Sequence, residues 1–228
     1  MINRLMNFFR LEKFHAPTQP SWDAPYKELF EKAIRFTEKC GFATRRFKWL
    51  DRELINPDGE FSLITLRNLG ITDPSASAVQ CLKWAHYLQP ELERTLDTPV
   101  WLTIGQLWTE KTALFNPSYD DLQRWTQNGI QHVDLVGRSG VNLHAWLTLE
   151  SGEIIEPTLL SSLAKVNPGV YGKYAGAWVW GRERALNNHR YYPMLVGQEA
   201  GSAIGDRSII PLLARNVQEL EQLQMVVI

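Results

Sequence analysis

The sequence predicts an α+β chain in which N-terminal helices pack on one side of a mostly antiparallel sheet. Three observations carry that expectation. Apolar residues recur at helical spacing through the first third of the 228-residue chain. At Val100 the period changes to the alternation of strands, which fill the centre. Turn signals, Gly137-Arg138-Ser139-Gly140 and Ser151-Gly152, join the central segments over distances that suit antiparallel neighbours.

The first dozen residues, with Phe8 and Phe9, read as a short amphipathic helix docked on the body of the protein. After Pro20, Ser21 or Asp23 can cap a helix with Pro25 in its first turn, running to Cys40 before Gly41. Cys40 falls on the apolar face with Tyr26, Leu29, Phe30 and Ala33, so it reads as a core thiol. Asn56-Pro57-Asp58-Gly59 is a turn, and a helical stretch from Phe61 ends at Gly70. Ser77-Ala78-Val79-Gln80 has the form of a capping box, which would make Cys81 the fourth residue of a helix reaching Gln89, where Pro90 discourages continuation. Leu92 to Leu96 then adds a further turn or two.

Val100 to Trp108 reads as a half-buried strand, and Asn116-Pro117-Ser118 opens a helix that stops at Asn128-Gly129. Ile130 to Val136, Val141 to Leu149 and Glu153 to Glu156 read as three strands. A glycine-rich loop from Asn167 returns to a strand at Ala177 to Trp180, Arg190 to Val196 forms a last strand, and Ser208 to Leu223 reads as a helix with Pro211 in its first turn. No linker separates independent units. The expectation is one domain over 1–228, with a helical N-terminal part (1–70), a central core (71–160) and C-terminal strands and helix (161–228).

Composition excludes several classes. Lys and Arg number 24 against 25 Asp and Glu, a net charge of −1, so no global positive field holds a polyanion and nucleic acid is not expected as a partner. Two cysteines cannot build a disulfide framework or a clustered zinc site, and no spacing such as H-E-x-x-H joins His86, His132, His144 and Asp134; no metal and no cofactor is expected. No apolar run is long enough to span a membrane. The first ten residues lack a signal-type apolar stretch, so the expectation is synthesis in the cytoplasm, with export by a leaderless route as the second possibility. Nine tryptophans suggest rigid aromatic walls, and Trp84, Trp108 and Trp146 are candidates for core or cleft.

The chemistry centres on Cys81, His144 and Glu156. A thiol at a helix N-terminus with an imidazole nearby meets the conditions for a nucleophile, and the imidazole needs a third group to fix its tautomer and orientation. His144 near the start of one strand and Glu156 near the end of the next meet if the hairpin register allows. A two-residue loop at Ser151-Gly152 places Glu156 opposite Leu147 and on the face away from His144. A three-residue loop, Glu150 to Gly152 with Gly152 left-handed, places Glu156 opposite Trp146, so that His144 and Glu156 become diagonal neighbours on one face. The triad reading therefore requires the longer loop. For the oxyanion, the N–H of Cys81 is one donor. Gln80 is the nearest amide, although a capping box would occupy it; Gln106 and Asn142 are the alternatives. His132 and Asp134 are either outer partners of the site or part of a solvated face, and His86 points away from the thiol. Taken singly, each of the three central residues also suits an ordinary core or strand position, and their joint order is what points to chemistry.

Cys81 at a helix start, His144-Ala145-Trp146 on a later strand and, after a hairpin, Glu156-Pro157-Thr158 together resemble the transglutaminase-like proteins of the papain-like cysteine peptidase superfamily. The resemblance covers Ser75 to about Leu160. It implies a papain-like, transglutaminase-like fold with Cys81 as nucleophile, His144 as base and Glu156 as the orienting carboxylate. Glu156 stands where that family usually has Asp, and Gln80 stands where a small residue or Trp is common. The implied activity is acyl transfer by a thiol hydrolase on a protein, peptide or cell-wall-type amide, as a peptidase, amidase or deamidase, with a toxin-like effector as one setting; an inhibitor or immunity partner has no candidate. Crosslinking to an amine is the alternative acyl transfer, and an inactive scaffold serving as a protein-binding module is the rival class.

Overall fold

The structure, a computed structural model, describes residues 14–56, 59–138, 140–183, 186 and 189–222. The helix expected in the first dozen residues lies outside them.

The centre is a six-stranded sheet of β1 (Val100–Trp108), β2 (Ala113–Phe115), β3 (His144–Leu149), β4 (Glu153–Glu156), β5 (Val179–Arg182) and β6 (Arg190–Val196), in which every pairing is antiparallel. β1 lies between β6 on one edge and β3 with β2 on the other, and the sheet continues through β4 to β5. All nine residues of β1 are buried, not one face of it as alternation suggested. The reason is that helices cover both faces, which corrects the expected one-sided packing.

On one face, α1 (Tyr26–Lys39) crosses the sheet, and the Tyr26 hydroxyl bonds Thr148 Oγ1 and accepts from Trp146 Nε1, both at 2.8 Å. Pro25 occupies the N-cap of α1 and no side chain caps it, so neither Ser21 nor Asp23 plays that part. Cys40 is the C-cap residue and is partly buried against the core, as its apolar phase implies. On the other face, α3 (Cys81–Leu96) buries Leu82, Trp84, Ala85, Leu88 and Leu92 in one cluster with Leu102, Ile104, Leu147 and Ile155.

The helix α3 runs unbroken through Pro90. A proline in a helix interior leaves the carbonyl four residues earlier without its donor. Here that carbonyl belongs to His86, and the Gln198 side-chain amide donates to it at 3.0 Å. Gln198 opens α8 (Gln198–Arg207), a helix the sequence reading missed. Its Gly201 and Gly205 depress helix propensity, yet a Cβ on Gly201 would come within 2.4 Å of Leu102 Cδ2 and one on Gly205 within 2.3 Å of Leu213 Cγ. Close approach requires glycine at both positions. The expected helix over Ser208 to Leu223 is reduced to α9 (Val217–Glu221), which Asn216 caps by accepting from Glu219 N–H.

Other elements follow local chemistry. α2 (Phe61–Leu69) ends at the left-handed Gly70 as expected. α4 (Tyr119–Asn128) starts from a reciprocal capping box between Ser118 and Asp121. The strand expected over Ile130 to Val136 is not formed: Gln131 and Asp134 make their own capping box and start the short α5 (His132–Leu135), with Asp134 paired to Arg124 at 2.6 Å. After β4 come α6 (Leu159–Val166), to which the sequence pattern assigned no element, and the short α7 (Pro168–Tyr171), inside the glycine-rich stretch from Asn167 expected to be loop. Of the two places open to Trp84, Trp108 and Trp146, core or cleft, all three take the core.

Candidate active site

The hairpin between β3 and β4 has the three-residue loop. Leu147 pairs with Ile155 and Thr148 with Ile154, which sets Trp146 opposite Glu156 and leaves Glu150, Ser151 and Gly152 in the turn. Gly152 has φ +76°, and its N–H donates to Leu149 O at 2.9 Å. His144 and Glu156 consequently share a face, and His144 Nε2 lies 2.6 Å from Glu156 Oε2. Both side chains are buried.

Each group is held from several sides. Glu156 Oε1 accepts from the Thr158 N–H and hydroxyl at 3.1 and 3.0 Å and from the Leu159 N–H at 3.2 Å, so the carboxylate also caps α6. The buried Tyr191 hydroxyl donates to Oε2 at 3.4 Å; burial, followed by the Glu156 charge, pushes that phenol well above its ordinary pKa. The imidazole is stacked on Phe115 with centroids 5.1 Å apart and planes 16° from parallel, and on Trp146 at 5.8 Å. Across the ladder from His144 stands Gly105, where a Cβ would meet Tyr192 O at 2.0 Å and the Trp146 ring at 3.0 Å.

With Nε2 bound to the carboxylate, the other ring nitrogen, Nδ1, is buried and has no hydrogen-bond partner among the described residues. Burial is the largest influence on the imidazole and pulls its pKa down. The Glu156 charge and the nearby Cys81 sulfur more than offset it, leaving the pKa raised to about 10. The Cys81 thiol donates to the carbonyl of Leu143, the residue before His144, at 3.4 Å.

Cys81 is the first residue of α3, not the fourth, because the expected capping box does not form. Asp73 instead caps a 3₁₀ turn over Pro74–Ser77. The Ser77 hydroxyl bonds Pro157 O at 3.2 Å and Ser161 Oγ at 2.8 Å, and the Gln80 amide donates to Ala76 O at 2.6 Å. The chain then passes through Val79 at φ +58°, an unusual conformation for a β-branched residue, with its N–H donating to Ser162 Oγ at 2.9 Å. Ser161 and Ser162 on α6 thereby tether the turn before Cys81 to the helix that Glu156 caps. The strained Val79 and these tethers have no signature in the sequence, since they depend on contacts about 80 residues apart.

Cys81 opens onto a cleft of about 550 Å3 that is also lined by Val79, Leu114, Phe115, Asn142 and Leu212. Of the amides considered for an oxyanion, Gln80 is engaged with Ala76. Gln106 donates to Pro117 O and accepts from Trp108 Nε1. Asn142 accepts from Asn116 N–H through its oxygen, and its amide nitrogen makes no hydrogen bond to a described residue. His132 is exposed, and His86 bonds Ser202 Oγ at 2.8 Å on the far side of α3. Among the described residues, no group of three His, Cys, Asp or Glu side chains is arranged to hold a metal ion, and no helix is long and apolar enough to cross a membrane.

No family model, curated protein or solved structure matches the chain.

Proposed function

We propose that the protein is a cysteine-nucleophile acyl-transfer enzyme of papain-like, transglutaminase-like type that hydrolyses an amide through Cys81, His144 and Glu156. The observation that carries this reading is the imidazole whose Nε2 is fixed by Glu156 while its buried Nδ1 is left without a partner beside a thiol at a helix N-terminus. Most buried side-chain nitrogens in protein interiors are hydrogen-bonded. His144 Nδ1 has no oxygen or nitrogen partner among the described residues, and Cys81 is close enough to the ring to raise its pKa.

In the proposed cycle, the thiol proton rests on His144, whose raised pKa keeps the imidazole charged, and the sulfur attacks the amide carbonyl. The Cys81 N–H and the Asn142 amide stabilise the oxyanion. The C–N bond breaks as His144 passes its proton to the departing amine, leaving a thioester on Cys81. Water then adds, its proton going to His144, and the C–S bond breaks to release a carboxylic acid and restore the thiol. Glu156 holds the ring and stabilises its charged form, as the raised pKa of His144 supports.

An activated aryl ester tests this without knowledge of the substrate. The expected result is a burst of the phenol close to one equivalent per protein, with the acyl group found on the peptide that contains Cys81 and lost in His144→Ala. Acylation of Cys40 instead, or no burst, would overturn the reading.

A further inference from the structure

We infer, resting on the thiol-enzyme reading above, that the cleft receives the C-terminal end of a peptide, with an apolar residue beside Cys81 and its free carboxylate on Arg138. Val79 and Leu114 are 58% and 40% exposed in its walls, and Phe115, Val141 and Leu212 continue the apolar surface. Apolar side chains left open around a nucleophile are the surface an apolar substrate group would cover.

Charge sets the other half of the specificity. Among the described residues that line the cleft there is no Asp or Glu, and the charged side chains are Lys83 and Arg138. The Lys83 ammonium is already engaged, donating to Glu219 O at 3.1 Å and Gln222 O at 3.2 Å. Arg138 is exposed and forms no ion pair with a described residue. Its planar fork matches a carboxylate in a bidentate pair. A lysine ammonium entering the same space would meet apolar walls, no countercharge and a like charge on Arg138. The cleft therefore disfavours an amine acceptor, and water resolves the thioester. The bond cleaved is the last peptide bond, releasing an amino acid whose carboxylate is the group held by Arg138.

Alkylation of Cys81 by three small electrophiles tests this: 2-bromo-4-methylpentanoate, 2-bromo-4-methylpentanamide and 2-bromoethylamine, each rate divided by that of the same reagent with free cysteine. The expected order puts the acid about tenfold ahead of the amide and the amine last, a difference of about 1.4 kcal/mol. The lead of the acid should disappear in Arg138→Gln and persist in Arg94→Gln, whose side chain pairs with Glu91 away from the cleft. Equal rates for acid and amine, or a preference that survives in Arg138→Gln, would overturn the inference while leaving the thiol-enzyme reading standing. Uniformly slow alkylation of Cys81, at the pace of Cys40, would overturn both.

Discussion

His144 Nε2 lies 2.6 Å from Glu156 Oε2 in a site that excludes solvent, and the carboxylate accepts four further hydrogen bonds from Thr158, Leu159 and Tyr191. Removing the carboxylate charge while keeping its shape separates its electrostatic role from its packing. In Glu156→Gln the imidazole loses the influence that most raises its pKa, and burial, which pulls the other way, prevails. The His144 ring should then titrate far below 10, as read from its NMR shifts, and stability to urea should fall by about 3 kcal/mol, the usual cost of leaving one member of a buried pair alone. An unchanged titration would place the cause elsewhere.

The same shift links stability to pH. The folded pKa of about 10 is above the ordinary histidine value of 6.5, so the folded chain holds a proton that the unfolded chain has released. This contribution is complete below about pH 6.5 and is lost as pH rises through about 10. Between those values stability should decline by at most about 1.4 kcal/mol per pH unit from this group. Urea midpoints across the interval measure the slope, and His144→Phe should flatten it. A wild-type curve no steeper than that of the variant would contradict the assignment.

Gly105 is predicted to tolerate no side chain. In Gly105→Ala the new methyl meets Tyr192 O, a backbone atom fixed by the β1–β6 ladder, so yielding requires the sheet to open beside His144. A loss of about 3 kcal/mol is expected in chemical denaturation. A wild-type midpoint would show that the strands separate more easily than the packing implies.

Val79 offers the opposite sign. Its left-handed backbone stores strain of about 1–3 kcal/mol, and its side chain is mostly exposed. Val79→Gly should raise stability by roughly 1 kcal/mol while slowing reactions at Cys81, because the turn that aims the thiol becomes looser. A variant both less stable and equally reactive would mean that the conformation costs little and positions nothing.

Much of the framework was legible because its signals are local. The helix ends at Gly70 and Asn128, the capping box at Ser118, and the strands at Glu153–Glu156 and Arg190–Val196 rest on chemistry within a few residues. Parity alone tied the closeness of His144 and Glu156 to a three-residue loop, which is the loop present. What failed depends on distant partners. Pro90 stays inside α3 because Gln198 supplies the missing donor, and α8 carries glycines because Leu102 and Leu213 crowd it. The Ser77–Gln80 capping box loses to Pro157, Ser161 and Ala76. The one-sided helix packing failed because a sheet buried on both faces still shows alternating residue types when aromatic and hydroxyl side chains such as Trp101, Thr103 and Thr148 fill the second layer.

The central claim is that Cys81, and not Cys40, is a nucleophile served by His144. Cys40 is a useful internal reference, since burial pushes its thiol pKa up. Alkylation by iodoacetamide near pH 7, followed residue by residue by mass spectrometry, tests the claim most directly. Cys81 should react on the order of tenfold or more faster than Cys40, and His144→Ala should remove the difference. Equal, slow labelling of both cysteines, unchanged by His144→Ala, would contradict it.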